Sequence, residues 1–370
     1  CKVKKTSTTM TNVITFQEAI KKADTYNTKH LLLGNGFSIA CVPSIFTYNS
    51  LFEEADFSIY PEIEKAFSKL KTTDFELVIN ALESASIVLP AYDENLTVIS
   101  HKMQIHSNRI KELLIETIAN RHPPFPSEIN ENKYKSCRRF LSYFVNKKST
   151  GRVYSLNYDL LLYWTLMHEM ENEDFELNHN DGFGRDSQLE NGEYEVSTEL
   201  IWQGKSDSQN IHYLHGALHL FDGGSQLEKF SWTDTGMRLI DQARKALEEN
   251  KFPVFVTEGD SEKKMKKITH NPYLFNGYKS FESVTKAGKS KNPGSTCIFT
   301  YGVSFSDNDK HIFSKIANGR IKHIFISIYG DPEYDFNKNI IALSEGLKSS
   351  RKEYPLEITY YDAESAKVWN

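Results

Sequence analysis

Short apolar runs of strand length recur along the chain at residues 30–33, 152–156, 211–214, 252–257, 297–301, 323–328 and 356–361, most of them separated by segments long enough for a helix. Consecutive apolar residues are what a strand covered on both faces requires, and helices between strands are the usual crossover between parallel neighbours. The rhythm predicts an α/β fold: a doubly wound, mainly parallel sheet, Rossmann-like, with helices on both faces. Ahead of the first run, Phe16, Ala19, Ile20 and Ala23 fall on one stripe of a helix over residues 16–26, so the chain opens helix, strand, glycine loop. Residues 1–12, polar and aperiodic over the first ten, are expected to be a flexible start.

Residues 50–146 interrupt this rhythm. They read as successive helices over 63–70, 75–84, 101–118 and 134–145, with no strand, and so as a helical insertion after the first strand-and-loop unit. The insertion is expected to cover one wall of the pocket or to support self-association. Residues 171–203, rich in Asn, Asp, Glu and Gly, read as an irregular loop or a β-hairpin excursion. Lysine-rich stretches at 262–267 and 286–295 approach low complexity; the run 263–267 is expected to be a solvated helix face, with attraction of a cofactor phosphate as the alternative.

The formal net charge of −5 argues against general affinity for nucleic acid or an anionic membrane. Cys1, Cys41, Cys137 and Cys297 are scattered without a CxxC pair, which argues against a four-thiolate zinc site and suits a reducing, cytoplasmic compartment. No uninterrupted apolar run of about 18 residues marks membrane insertion.

Four strand ends carry the candidate chemistry. The run ending at Leu33 enters Gly34-Asn35-Gly36-Phe37-Ser38, where two glycines let backbone amides approach a pyrophosphate and a hydroxyl sits at the start of a helix; a capped strand-end turn is the alternative. The run over 152–156 delivers Asn157 and Asp159 to the carboxyl end of a strand, where open α/β sheets bind ligands, although either residue also suits the cap of the next helix. The run over 211–214 ends in His215-Gly216, a potential base beside a turn-permitting glycine. With His212 and His219 close by, a metal comes to mind, but no matching cysteine or acidic set follows, so no metal is expected and these two histidines are expected to be packed or solvent-exposed. The fourth run is followed by Gly302, Ser304, Asp307, Asp309 and His311, a second glycine turn with hydroxyl and carboxylates suited to ribose hydroxyls.

In this order the glycine loop with serine, the Asn-x-Asp, the His-Gly and the late Gly-x-Ser resemble the sirtuin NAD-binding domain over approximately residues 31–330. The likeness is to the bacterial sirtuin-like branch that hydrolyses NAD in antiphage defence or toxin systems. Residues 253–259, Lys266 and Asn271-Pro272-Tyr273-Leu274 look similar to that branch as well. The resemblance implies one NAD-binding domain over residues 13–370. It implies catalytic roles for Asn157, beside the nicotinamide ribose, and for His215. It assigns Gly34, Asn35, Gly36, Phe37 and Ser38 to the phosphate loop, Gly302 and Ser304 to the second loop around the cofactor, and Asp159 to the nicotinamide end; Asp309 and His311 lie in a similar local pattern. The protein deacylases of that family carry a four-cysteine zinc module between the His-Gly motif and the late strands, where this chain has only Cys297. The resemblance therefore points to an NAD glycohydrolase that releases nicotinamide and ADP-ribose, with NAD as substrate. An NAD or ADP-ribose sensor is the alternative, and ADP-ribosyl transfer or deacylation a more distant one. A protein trigger or self-association is the expected partner.

Overall fold

The computed structural model describes residues 11–168, 173–184, 199–223, 226–230, 241, 252–286, 296–351 and 353–370. The expected flexible start, except for residues 11 and 12, the lysine-rich segment 287–295 and the middle of the 171–203 excursion lie outside the described residues.

The opening helix begins as the sequence dictates. Thr15 accepts from the Glu18 N–H while Glu18 Oε2 accepts from the Thr15 N–H at 2.8 Å, a reciprocal cap that starts helix Phe16–Ala23 and turns Phe16, Ala19, Ile20 and Ala23 into the core. In chain order the strands of the described residues are β1 (Val13–Ile14), β2 (Thr28–Leu33), β3 (Val153–Ser155), β4 (Phe183–Gly184), β5 (Glu199–Trp202), β6 (Ile211–Tyr213), β7 (Gly216–Asp222), β8 (Leu227–Phe230), β9 (Phe252–Phe255), β10 (Thr296–Tyr301), β11 (His323–Ile328) and β12 (Glu357–Asp362).

Seven of them form one all-parallel sheet in the order β1-β12-β11-β10-β2-β3-β6, flanked by helices, which is the doubly wound Rossmann-like architecture. From β2 the chain winds through β3 to β6 at one edge; β10, β11 and β12 then extend the sheet in the other direction. The central strands are sealed by rings: Phe299 stacks on Phe325 at 4.3 Å between centroids, Phe144 meets Phe299 at 5.3 Å, and Phe16 meets Phe140 at 5.3 Å. Each such phenylalanine contributes about 1.5–3 kcal/mol by leaving water.

Register sets where the loops emerge. Tyr301 pairs with Leu33, Leu33 with Ser155, and Ser155 with Tyr213, so β10, β2, β3 and β6 end level with one another. The segments that follow, starting at Gly302, Gly34, Leu156 and Leu214, therefore leave from the same edge of the sheet.

One apolar run belongs elsewhere. The expected parallel-sheet strand at 252–257 is instead β9, which pairs antiparallel with β7 in a second sheet ordered β4-β5-β8-β7-β9. The cause is Gly216. Its φ of +81° turns the chain out of the parallel sheet directly after β6, and a Cβ there would meet the Val254 carbonyl oxygen at 1.8 Å, so only glycine lets β9 come alongside. The described ends of the 171–203 excursion pair antiparallel as β4 and β5, with Phe183 opposite Trp202.

Between β2 and β3 the chain makes the helical insertion: Tyr48–Glu54, Pro61–Leu70, Phe75–Tyr92, Thr97–Arg121 and Glu131–Ser142. Asp74 Oδ1 accepts from Leu77 N–H at 3.2 Å to start the third, and the core of the insertion is aromatic, with Phe67 5.0 Å from Phe52 and 5.1 Å from Phe75. Helix Phe75–Tyr92, with a mean hydropathy of 1.2 over 18 residues, is by length and composition apolar enough to cross a membrane, and 33% of it is buried within the chain.

Candidate functional site

At the level edge of β10, β2, β3 and β6 the two glycine turns interlock. Gly34 N–H donates to the Tyr301 carbonyl and Gly36 N–H to the Gly302 carbonyl, both at 3.0 Å. A Cβ on Gly34 would lie 2.5 Å from Gly302 O, and one on Gly36 2.5 Å from Gly302 Cα. Gly302 itself has φ +66°, and a Cβ on it would sit 2.4 Å from Gly36 Cα. The glycines thus serve the contact between two loops, a use that the phosphate-loop reading did not foresee. Phe37 N–H donates to Gly34 O and Ser38 N–H to Asn35 O, which opens helix Gly36–Cys41; among the described residues, the Asn35 N–H of this loop has no carbonyl partner. Phe37 is buried against Trp369, whose ring nitrogen donates to the Phe37 carbonyl at 2.8 Å.

Asn157 and Asp159 sit beneath this junction. Asn157 Nδ2 donates to Gly34 O at 3.0 Å and to Ser38 Oγ at 2.9 Å, and Ser38 in turn donates to Asp159 Oδ2 at 2.5 Å. Asp159 Oδ1 accepts from Leu161 N–H at 2.9 Å, although the N-cap position of helix Leu161–Met167 is Leu160, which makes no side-chain cap hydrogen bond. All three side chains are buried, and burial pushes the Asp159 carboxyl up against the opposing pull of Ser38 and of the Leu161 amide. The Ser38 hydroxyl faces inward, while Ser304 is exposed just beyond the end of β10.

His215 leads into a second cluster. Its Nε2 lies 3.1 Å from His311 Nε2, so one of the two rings donates to the other. His311 Nδ1 lies 3.2 Å from Ser261 Oγ, and Ser261 Oγ accepts from the His311 backbone N–H at 2.7 Å. Burial pulls both imidazoles down, His215 well below its ordinary value and His311 to about 4, against the upward pull of Asp309, so both are neutral near pH 7.

Asp309 lies 3.8 Å from His215 Nε2 and accepts from Lys264 Nζ at 3.0 Å; Lys264 also donates to Glu76 Oε2 at 2.8 Å. Glu76 belongs to insertion helix Phe75–Tyr92, and its carboxylate also accepts from Tyr158 at 3.2 Å and Asn308 at 3.2 Å. Lys264 comes from helix Ser261–His270, where its spacing of three from Ser261 puts both side chains on one face, toward Asp309 and His311. Burial pulls Lys264 down, but its two carboxylates overturn this and hold it above its ordinary value. Burial pushes Asp309 up, and the Lys264 ammonium leads the contributions that more than reverse it, so Asp309 is held anionic. Glu76 is raised by burial despite Lys264.

Lys264 therefore departs from the solvated-face expectation for the run 263–267: its side chain is 1% exposed. Glu76, Ser261, Tyr158 and Lys264 were not singled out from the sequence; the spacing of Ser261 and Lys264 on one helix was the available signal. His212 and His219 are both packed, stacked on Tyr154 at 5.1 Å and on Tyr163 at 4.4 Å. The ligating atoms of His215, Asp309 and His311 lie within 4.8 Å of one another, a spacing one metal ion can bridge. The Lys264 ammonium on Asp309 opposes a cation there, and the histidine nitrogens already satisfy each other by hydrogen bonding.

No curated protein matches the chain. The model of the family described as a domain of unknown function (DUF4917) matches residues 31–369, and the chain belongs to that family.

Proposed function

We propose that the protein is an NAD glycohydrolase of the sirtuin-like kind, acting in the reducing cytoplasm, with a role in bacterial antiphage defence. The observation that carries the reading is positional. The interlocked glycine turns, Asn157 and His215 follow four adjacent parallel strands that end level, and β2 stands where the winding of the sheet reverses. Crevices at such a point are where doubly wound sheets bind nucleotides. The Asn35 amide at the opening of the helix is the donor offered to a phosphate there.

Nicotinamide is cationic in NAD and leaves as a neutral ring, so the leaving group needs no acid. The work is to hold the ribose, to stabilise positive charge at its anomeric carbon, and to place a water. Asp309, held anionic by Lys264, supplies a negative charge beside the pair of neutral histidines. Attack by water forms the new C–O bond as the C–N bond breaks with its electron pair going to nicotinamide, and the water's proton passes to the His215–His311 pair and then to solvent. Asn157 positions the glycine loop from below.

A binding-only module, a sensor of NAD or ADP-ribose, is the second reading. It is favoured by Asn157, whose amide hydrogens are both engaged by Gly34 and Ser38. The two readings part in Asn157→Ala. If the loop geometry serves catalysis, nicotinamide release at saturating NAD falls by about 10²-fold, because displacing a reacting group by about 1 Å costs that much. Wild-type release accompanied by an unchanged rate in the variant would remove Asn157 from the mechanism; NAD binding with no release from the wild type, with candidate triggers present, would favour the sensor.

A further inference from the structure

Insertion helices Phe75–Tyr92 and Thr97–Arg121 form a hairpin joined by the short turn Glu94–Leu96. Ser107 Oγ donates to Glu83 Oε1 at 3.0 Å, and Ser100 Oγ donates to the Ser86 carbonyl at 2.5 Å, which fixes the two helices antiparallel. The base of this hairpin is core: Val78, Ile79, Ile110 and Leu113 are buried, and Glu76 reaches the site through Lys264. The distal part is different. From residue 87 to residue 105 no side chain is buried, yet the segment carries Ile87, Val88, Tyr92, Val98, Ile99 and Ile105, with Tyr92 85%, Val98 79% and Ile87 72% exposed.

A helix pair of this length gains most of its stability by burying an apolar face, and over residues 87–105 neither helix does so among the described residues. All six residues are 45% or more exposed, and they lie together on one arm, where a stable interface would bury about 800 Å² from each partner. Charge narrows the occupant. Over residues 87–105 the charged groups are Asp93, Glu94 and Lys102, and Lys102 is paired with Glu62 at 2.7 Å. That segment offers almost nothing to an anionic bilayer or to nucleic acid, and it places no strong like charge opposite itself. A second copy supplies the same two-helix face, and two such hairpins related by a two-fold axis close into a four-helix bundle.

We infer that the distal hairpin, residues 87–105, is a homodimerisation arm that buries its apolar face against the same arm of a second copy. The arm is continuous with helix Phe75–Tyr92, so the interface is joined covalently to the helix that supplies Glu76 to Lys264. The inference is independent of what the site cleaves, because its test reads mass and uses no NAD.

The test is sedimentation velocity of the full chain over a hundredfold range of concentration. Comparison is with Val88→Asp/Val98→Asp and, separately, Ile105→Arg, each checked for an unchanged thermal melt. The wild type is expected to sediment as a dimer that dissociates on dilution, and both variants as monomers throughout. A wild type that is monomeric at every concentration, or a dimer that survives in both melt-competent variants, overturns the proposal. So does flotation of monomeric wild type with phosphatidylcholine vesicles that the variants lose, which would assign the arm to a lipid surface.

Discussion

Replacing His215 with alanine is expected to lower nicotinamide release by about 10²–10⁴-fold, the usual contribution of a positioned acid–base group. The loss arises in the proton path. His215 Nε2 meets His311 Nε2 at the end of the Ser261–His311 chain, and without it the buried His311 Nε2 loses its hydrogen-bond partner. Because both imidazoles are pulled down by burial, the pair stays neutral through the ordinary histidine range; the rate is therefore expected to hold as pH falls from 8 to about 6 and to decline only when the pair begins to take up protons, with His311 near 4. His215→Gln keeps volume and hydrogen-bonding capacity but cannot take the proton, and it separates a chemical from a packing role. A folded His215→Gln protein that binds NAD and cleaves it at the wild-type rate would remove His215 from the chemistry.

Replacing Lys264 with methionine is expected to cost about 3–5 kcal/mol of stability near neutral pH, because it strands the buried Glu76 and part-buried Asp309 carboxylates that share one ammonium. The pH dependence identifies the cause. Lys264 has its folded pKa raised, so its contribution is fully present below the unfolded value near 10.5 and is lost as pH rises through the folded value. Asp309, with its folded pKa lowered, contributes stability above its unfolded value near 3.8 and loses it as pH falls through the folded one. In Lys264→Met both carboxylates face burial unaided and their folded pKa values rise. The deficit against wild type is therefore largest at neutral pH and shrinks as acid protonates Glu76 and Asp309. Urea unfolding at pH 7 and pH 5 measures both numbers; a deficit that is small, or that grows on acidification, contradicts the ion-pair account.

Much of the architecture was legible because it depends on local pattern. Buried strands read as apolar runs, the Phe16 stripe as a helix face, and the long stretch without strands as helices. Sheet membership was less accessible at β9, since four apolar residues look alike in a parallel and an antiparallel neighbour, and the deciding residue, Gly216, lies in another part of the chain. The candidate site was legible as polar residues following strand ends, and Asn157, Ser38 and Asp159 do meet. What the glycines pack against was not, because Gly34 and Gly302 come together only once β2 and β10 pair. Lys264 was hidden for the same reason. A lysine in a basic run is ordinarily solvated, and this one is buried by Glu76, 188 residues away.

Time-resolved chromatography of NAD incubated with the purified wild-type chain, over a concentration series that spans dimer formation, tests the central claim most directly. The account predicts that nicotinamide and ADP-ribose appear together in equal amounts as NAD disappears, the mark of cleavage between nicotinamide and ribose. Nicotinamide mononucleotide and AMP in their place, or NAD that is bound yet intact at every concentration and with candidate triggers added, would contradict it.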